Sequence, residues 1–265
     1  MEKIENTSAV LQIQGLTKYF GGLCAVKSFD MTLNKGDLAG LIGPNGAGKT
    51  TVFNLITGLY APTDGEVKLD NESIVGFEPF EITRLGIART FQNIRLFPNL
   101  TVLDNVRIAY HAHIGYSFSD SIFRTPRFGK EEKALIERAQ EFLGIFQLEG
   151  IQDELAKNLP YGEQRRVEIA RALACNPHVL LLDEPAAGMN PREIINLMEL
   201  IHFIHDRFNL TILLIEHQMR VVMGICENIS VMDFGEVIAR GTPKEIQDNP
   251  KVVEAYLGKG AANVS

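Results

Sequence analysis

The sequence predicts an α/β fold: a mostly parallel sheet with helices on its faces, an antiparallel β subdomain beside it, and an inserted α-helical subdomain. Three observations predict it. Short apolar runs, "LAGLIG" from Leu38, "HVLLLDE" from His178, "TILLIE" from Thr211 and "ISVMD" from Ile229, alternate with segments of helical spacing, as expected of parallel strands buried on both faces. The earlier segments "AVLQIQ", "VKSFDMTL" and "GEVKLD" read as an antiparallel strand group. From Thr101 to Ala174 the strand signals fade, while "TVLDNVRIAYHAH", "KEEKALIERAQEFLGIF" and "GEQRRVEIARALA" carry helical spacing.

The core is therefore expected to be discontinuous. Residues 1–97 form its first half with the antiparallel subdomain, residues 98–175 the helical subdomain, and residues 176–265 the second half with a C-terminal tail. Inside the insertion, "GYSFSDSIFRTPRFG" (Gly115 to Gly129) is rich in turn formers and lacks a clear period, which predicts a surface loop.

Composition narrows the function classes. The three cysteines, Cys24, Cys175 and Cys226, are scattered without C-x-x-C spacing, which disfavours a disulfide framework or thiolate zinc site and fits a reducing cytoplasm. A net charge of -7 argues against a phosphate-backbone binder, so nucleic acid is not expected as a partner. Arg165 and Arg166 read as basic surface residues of an amphipathic helix, able at most to meet one anion. The start "MEKIENTSAV" lacks a signal-peptide pattern, and no apolar run approaches the ~20 residues of a bilayer span. A chain soluble by itself is expected.

The strongest motif is "GPNGAGKT", Gly43 to Thr50, set between a strand and the helix-like "KTTVFNLITGL". That is the context a G-x-x-x-x-G-K-[ST] phosphate loop requires. Gly43, Gly46 and Gly48 permit unusual backbone angles and close approach, so the N–H groups of the run Gly43, Pro44, Asn45, Gly46, Ala47, Gly48, Lys49, Thr50 and Thr51, Pro44 aside, can surround phosphates. Lys49 is expected to reach the β- and γ-phosphates, and the Thr50 hydroxyl to ligate Mg2+. The core is thus expected to be that of a P-loop nucleotide hydrolase, with Mg2+ as a cofactor.

"HVLLLDEP" supplies the acidic half of the chemistry. Asp183 emerges at the carboxyl end of a buried strand, where open α/β sheets bind ligands, and can hold Mg2+. Glu184 can orient or activate a water for attack on the γ-phosphorus.

With these motifs in order, the chain resembles the ATP-binding cassette family over almost its whole length. The resemblance rests on Phe20, "GPNGAGKT", Gln92 in "RTFQNIRLF", "LPYGEQRR", "LLLDEP", Asn190 in "AAGMNP" and His217 in "LLIEHQM". It implies ATP as the nucleotide, and that Phe20 stacks on its adenine, that Gln92 contacts Mg2+ and relays to a membrane partner, and that His217 contacts the γ-phosphate. An aromatic face, an amide and an imidazole suit those tasks. The remaining histidine pairs, His111 with His113 and His202 with His205, lack acidic or thiol complements and read as structural.

In the family, "LPYGEQRR" corresponds to a signature, commonly Leu-Ser-Gly-Gly-Gln, that binds the γ-phosphate held by a second cassette in a head-to-tail pair. Here Pro160 replaces the serine, Tyr161 the first glycine and Glu163 the glutamine, leaving Gly162 as the flexible point. What survives is a helix start whose N–H groups and dipole favour an anion, with Pro160 expected as its first residue.

The Tyr-Gly signature, "DEPAAGMNP" with Asn190 where aspartate is usual, "LLIEH" and the closing "GTPKEIQDNPKVVEAYLG" resemble the ATPases of bacterial branched-chain amino acid importers, and among them the larger of two cassette subunits. Gln218 departs from the aspartate more usual there. The resemblance implies transmembrane permease subunits, a second cassette (homologous or identical) and, indirectly, a periplasmic solute-binding protein as partners. It also implies a peripheral location on the cytoplasmic face of the inner membrane. Leu96, Phe97 and Pro98, apolar residues around a proline break after Gln92, are candidates for a groove that takes a permease helix.

Overall fold

The computed structural model describes residues 9–110, 120 and 122–257. The chain divides into two compact units, the first made of residues 1–89 and 178–265, the second of Thr90–Pro177. The segment Thr90 to Phe97 therefore belongs to the helical unit, although the sequence reading assigned it to the first half of the core.

The first unit carries two sheets. β1 (Ala9–Phe20), β2 (Leu23–Asn34), β4 (Asp64–Leu69) and β5 (Glu72–Ser73) form an antiparallel sheet in the order β2-β1-β4-β5. β3 (Leu38–Ile42), β6 (Ile87–Arg89), β7 (Val179–Asp183), β8 (Thr211–Ile215), β9 (Asn228–Asp233) and β10 (Glu236–Gly241) form the second, in the order β10-β9-β3-β8-β7-β6. All its neighbours pair in parallel except β10, which runs antiparallel to β9. Every residue of β3, β7 and β8 is buried, which is why their sequences are continuous apolar runs rather than alternating ones. The antiparallel strand β1 alternates instead, turning Leu11 and Ile13 inward while Gln12 stays half-buried.

The core of this unit unites side chains of both sheets with the helix Lys49–Ile56. Phe29, Leu16, Leu41, Phe53, Ile56 and Met232 are fully buried within it. Truncating an aromatic ring so enclosed typically costs 3 to 5 kcal/mol, so Phe53 anchors the phosphate-loop helix by packing. A short helix, Pro79–Leu85, has Glu78 and Glu81 in a capping box and ends at Gly86 in the left-handed region.

The second unit is helical. Val102–Tyr110 packs on both Pro126–Ile145 and Tyr161–Leu173, and Val106, Ala139, Leu143, Val167 and Ile169 are fully buried. The surface loop expected over 115–129 is corrected at its C-terminal end. Thr125 accepts a hydrogen bond from the Phe128 N–H at 3.3 Å and caps a helix that begins at Pro126, since proline suits the first helical turn. Residues 115–119 and 121 of that stretch, and His111 with His113, lie outside the described residues. Among the described residues no helix is long and apolar enough to cross a membrane.

Candidate nucleotide site

In the first unit, three neighbouring parallel strands deliver the predicted residues from their carboxyl ends: β3 leads to Gly43, β7 ends at Asp183 and β8 runs into Glu216 and His217. This is the edge at which an open parallel sheet offers a crevice to ligands. The loop after β3 needs glycine for steric reasons. A Cβ on Gly43 would stand 2.0 Å from the Met232 carbonyl oxygen, and one on Gly48, where φ is +101°, would stand 2.4 Å from that of Ala25. No side chain fits at either position.

Lys49 opens the following helix with its side chain folded back over the loop, the Nζ donating to the carbonyls of Gly43 at 2.8 Å and Pro44 at 3.0 Å. Burial pulls its ammonium below the usual lysine range, while the carboxylates of Glu184 and Asp183 act in the opposite sense. Thr50 is exposed in the first turn, with Thr51 half-buried behind it; Asn45 and Gly46 are exposed, and Ala47 is buried.

Asp183 is almost fully buried, and its Oδ2 lies 2.6 Å from Nη2 of Arg89. Arg89 also donates to Asn54 Oδ1 at 2.7 Å and Thr57 Oγ1 at 3.3 Å, and lies over the Phe53 ring at 5.3 Å. One guanidinium thereby braces the phosphate-loop helix to the acidic strand. Glu184 takes the left-handed region with φ +45°, and its N–H donates to the Ile215 carbonyl at 2.9 Å. That bend carries its side chain to the next strand end, where Oε2 lies 3.4 Å from His217 Nδ1. The imidazole is half exposed and the carboxylate mostly buried.

Phe20, at the end of β1, is 42% exposed and meets Tyr60 edge-on at 5.3 Å, with Lys18 Nζ 5.2 Å from its ring centroid. The ring is thus partly open to solvent. Asn190 acts as a helix cap: its side chain accepts from the N–H groups of Arg192 and Glu193, in a capping box that opens Pro191–Phe208. His205, read as structural, lies 2.8 Å by Nε2 from the Gly36 carbonyl oxygen. Among the described residues no group of three or more His, Cys, Asp or Glu side chains is arranged to hold a metal.

The second unit holds Gln92 and the signature segment. Gln92 is exposed, as is Tyr161, while Gly162 and Glu163 are half-buried in the first turn of Tyr161–Leu173. Pro160 is the N-cap rather than the first helical residue, and its carbonyl accepts the N–H of Gln164 at 3.0 Å. Its extended ψ of 152° accounts for this, because the helix can begin only after it.

The reading of Arg165 as a surface residue is corrected. It is fully buried, 2.6 Å from Glu168 Oε2, and donates to the carbonyls of Phe91 at 2.7 Å and Gln92 at 2.9 Å and to the Tyr161 hydroxyl at 3.1 Å. Glu168 accepts the Arg95 N–H at 3.1 Å on its other oxygen. The segment that carries Gln92 is thus fastened to the signature helix. Arg166 is half-buried and donates to the Phe146 carbonyl.

Sequence reasoning missed Arg89, Glu216 and the Arg165–Glu168 pair. The available signal was a charged residue inside an otherwise apolar strand or helix face, as in "IAR", "LLIE" and "RRVEIA".

A phosphate loop and an acidic strand end on one parallel sheet, with an antiparallel sheet in the same unit and a separate helical unit, define an ATP-binding cassette. A family model described as "ABC transporter" matches residues 26–187, and one described as "Branched-chain amino acid ATP-binding cassette transporter" matches residues 236–262. The chain is 45% identical, over 94% of its length and 98% of the relative's, to the high-affinity branched-chain amino acid transport ATP-binding protein BraF of Pseudomonas aeruginosa. It is 44% identical, over the same shares, to LivG of Escherichia coli, which has the same description. The crystal structure of the ADP conformation of MJ1267, an ATP-binding cassette of an ABC transporter, matches with a TM-score of 0.83 and 35% identity, covering 96% of this chain and 100% of that one. A dimeric post-hydrolysis state of the cassette MJ0796 bound to ADP and Pi matches with a TM-score of 0.74 and 28% identity, over 88% and 98% of the two chains. The chain belongs to the ABC transporter family, in its group of branched-chain amino acid ATP-binding cassettes.

Proposed function

We propose that this chain is the ATP-hydrolysing subunit of an importer for branched-chain, hydrophobic amino acids, and that it works in a head-to-tail pair of cassettes around two ATP molecules. The observation that supports this most is the convergence of Lys49, Asp183, Glu184 and His217 at the carboxyl ends of β3, β7 and β8. Phe20 offers its ring face to adenine. The N–H groups between Gly43 and Thr51 and the Lys49 ammonium take the phosphates. Glu184 accepts the proton of the attacking water as the new bond to the γ-phosphorus forms and the bond to the β,γ-bridging oxygen breaks. His217 donates toward the γ-phosphate, where charge accumulates.

Mg2+ fits the donors present, because Thr50 and Asp183 offer hard oxygens. When bound, it neutralises charge on the phosphates. Tyr161, Gly162 and Glu163 at the start of the signature helix serve the nucleotide of the second cassette, which is either a homologous subunit or a second copy.

In this reading the protein sits peripherally on the cytoplasmic face of the bacterial inner membrane, on transmembrane permease subunits supplied by a periplasmic solute-binding protein. Nucleic acid is not a partner. Half-buried Leu96 and exposed Phe97 and Pro98 are the candidate groove for a permease helix. Affinity purification from membranes tests the reading: recovery of an amino acid permease and its binding protein is expected. Recovery with ribosomes, or with a permease for another class of solute, would overturn it.

A further inference from the structure

Glu216 closes β8 with a carboxylate that has no solvent exposure. Its Oε1 accepts the N–H of Ala186 at 2.8 Å, and its Oε2 accepts the N–H groups of His217 at 3.0 Å and Gln218 at 3.1 Å. The Gln218 side chain completes the ring by donating its Nε2 to the Ala186 carbonyl at 3.0 Å. Ala186 stands two residues beyond Glu184, and His217 follows Glu216 directly. A single buried anion therefore fastens the chain leaving β7 to the chain leaving β8, on either side of the 3.4 Å approach of Glu184 to His217.

The chemistry of the three donors singles out a carboxylate. Main-chain N–H groups on both oxygens need two acceptor atoms, and hydrogen bonds to an ionised oxygen are stronger than neutral ones. Glutamine offers one acceptor oxygen and would turn its NH2 toward an N–H group, donor against donor; alanine would take the acceptor from all three N–H groups, that of Ala186 in a buried setting.

We propose that Glu216 is a positioning residue for ATP hydrolysis: by holding the amides of Ala186, His217 and Gln218 it sets Glu184 and His217 in register with each other. This rests on the reading of Glu184 as the water-activating carboxylate and His217 as the γ-phosphate donor. A misplacement of about 1 Å at a reacting group costs on the order of 10²-fold in rate, and loosening either strand end by that much separates the pair.

The test uses the full chain and Glu216→Gln, with Glu184→Gln as reference. For Glu216→Gln, kcat for ATP is expected to fall on the order of 10²-fold, with affinity for a fluorescent ATP analogue changed less than about threefold, since Lys49 and the phosphate loop are untouched. Hydrogen exchange measured by mass spectrometry is expected to rise together in peptides covering 184–190 and 216–219, and to stay at the parental level over 43–57. Parental kcat in Glu216→Gln, or faster exchange in only one of the two loops, overturns the proposal. If Glu216→Gln is too unstable to assay, the exchange comparison is made on Gln218→Ala, which removes only the closing bond. There the two loops must still loosen together, and an unchanged 184–190 peptide is the overturning result. A parental protein without ATPase activity would instead overturn the functional reading, while the exchange experiment would still report on the coupling.

Discussion

Arg89 and Asp183 form a buried ion pair, Nη2 to Oδ2 at 2.6 Å, in which the carboxylate proposed to face Mg2+ is held by a strand neighbour. Breaking such a pair by deleting one partner typically costs 3 to 5 kcal/mol, because the other charge is left buried without compensation. Arg89→Ala is therefore expected to lose stability of about that size in urea unfolding, and Arg89→Lys somewhat less, since lysine keeps the charge opposite Asp183 but lacks the fork that also reaches Asn54. An Arg89→Ala protein as stable as its parent would show that the pair contributes nothing net.

Replacing Glu184 by Gln keeps the shape of the side chain and removes the proposed proton acceptor. ATP binding should persist, turnover should fall by two orders of magnitude or more, and an ATP-dependent dimer should become visible by gel filtration. Lys49→Ala separates binding from chemistry, because it removes the charge proposed to face the phosphates; nucleotide affinity itself should drop. Hydrolysis at the parental rate by Glu184→Gln would remove Glu184 from the mechanism.

The signature segment is expected to work through main-chain donors. Pro160→Ser should change ATPase activity less than about threefold, although one preorganised donor in use is worth on the order of 10²-fold, because a helix capped by proline has been working without a hydroxyl. Gly162→Asp should abolish activity and ATP-dependent dimerisation while leaving affinity at the chain's own phosphate loop near normal, since it brings a carboxylate to the helix start proposed to serve the partner's nucleotide. Dimerisation and turnover by Gly162→Asp would make the segment a surface helix.

Arg165 and Glu168 hold the Phe91 to Arg95 segment to the signature helix. Glu168→Ala leaves the guanidinium buried without its counter-charge and should cost about 3 to 5 kcal/mol by the same reasoning as for Arg89. Replacing both residues by apolar ones of similar volume should recover much of that loss. ATPase stimulation by the permease should nevertheless stay impaired in the double variant, because the Gln92 carbonyl has lost its anchor. Full stimulation there would dissociate the clamp from function.

Burial pushes the Cys226 thiol up to about 12. In the unfolded chain the thiol ionises near 8.5, so the neutral form is favoured by the fold. The contribution to stability is complete below about pH 8.5 and shrinks as the pH climbs toward 12, because only the unfolded state then gains a thiolate. Cys226 should resist alkylation at pH 9 until the protein is unfolded, while half-buried Cys24 reacts. Equal rates at the two sites would contradict the burial.

Much of the architecture was legible in the chain itself. Three strands enclosed on both faces need unbroken apolar runs, and a phosphate loop needs glycine where a Cβ would strike a carbonyl, so β3, β7, β8 and Gly43 to Thr50 announce themselves. Helical spacing located the inserted unit for the same reason, since one buried stripe per turn is what its core demands. Other features depend on partners distant in sequence and left only a charged letter in an apolar context. Arg89 lies 94 residues from Asp183, Glu216 lies 30 from Ala186 and Arg165 lies 74 from Phe91. Whether such a charge faces water or anchors a buried network is decided by what the fold places opposite it. The helix begun at Pro126 and the three-residue strand Ile87–Arg89 escaped for a related reason. The first has a cap but few apolar residues in its opening turn, and the second is too short to show a period, so pairing with β7 alone makes it a strand.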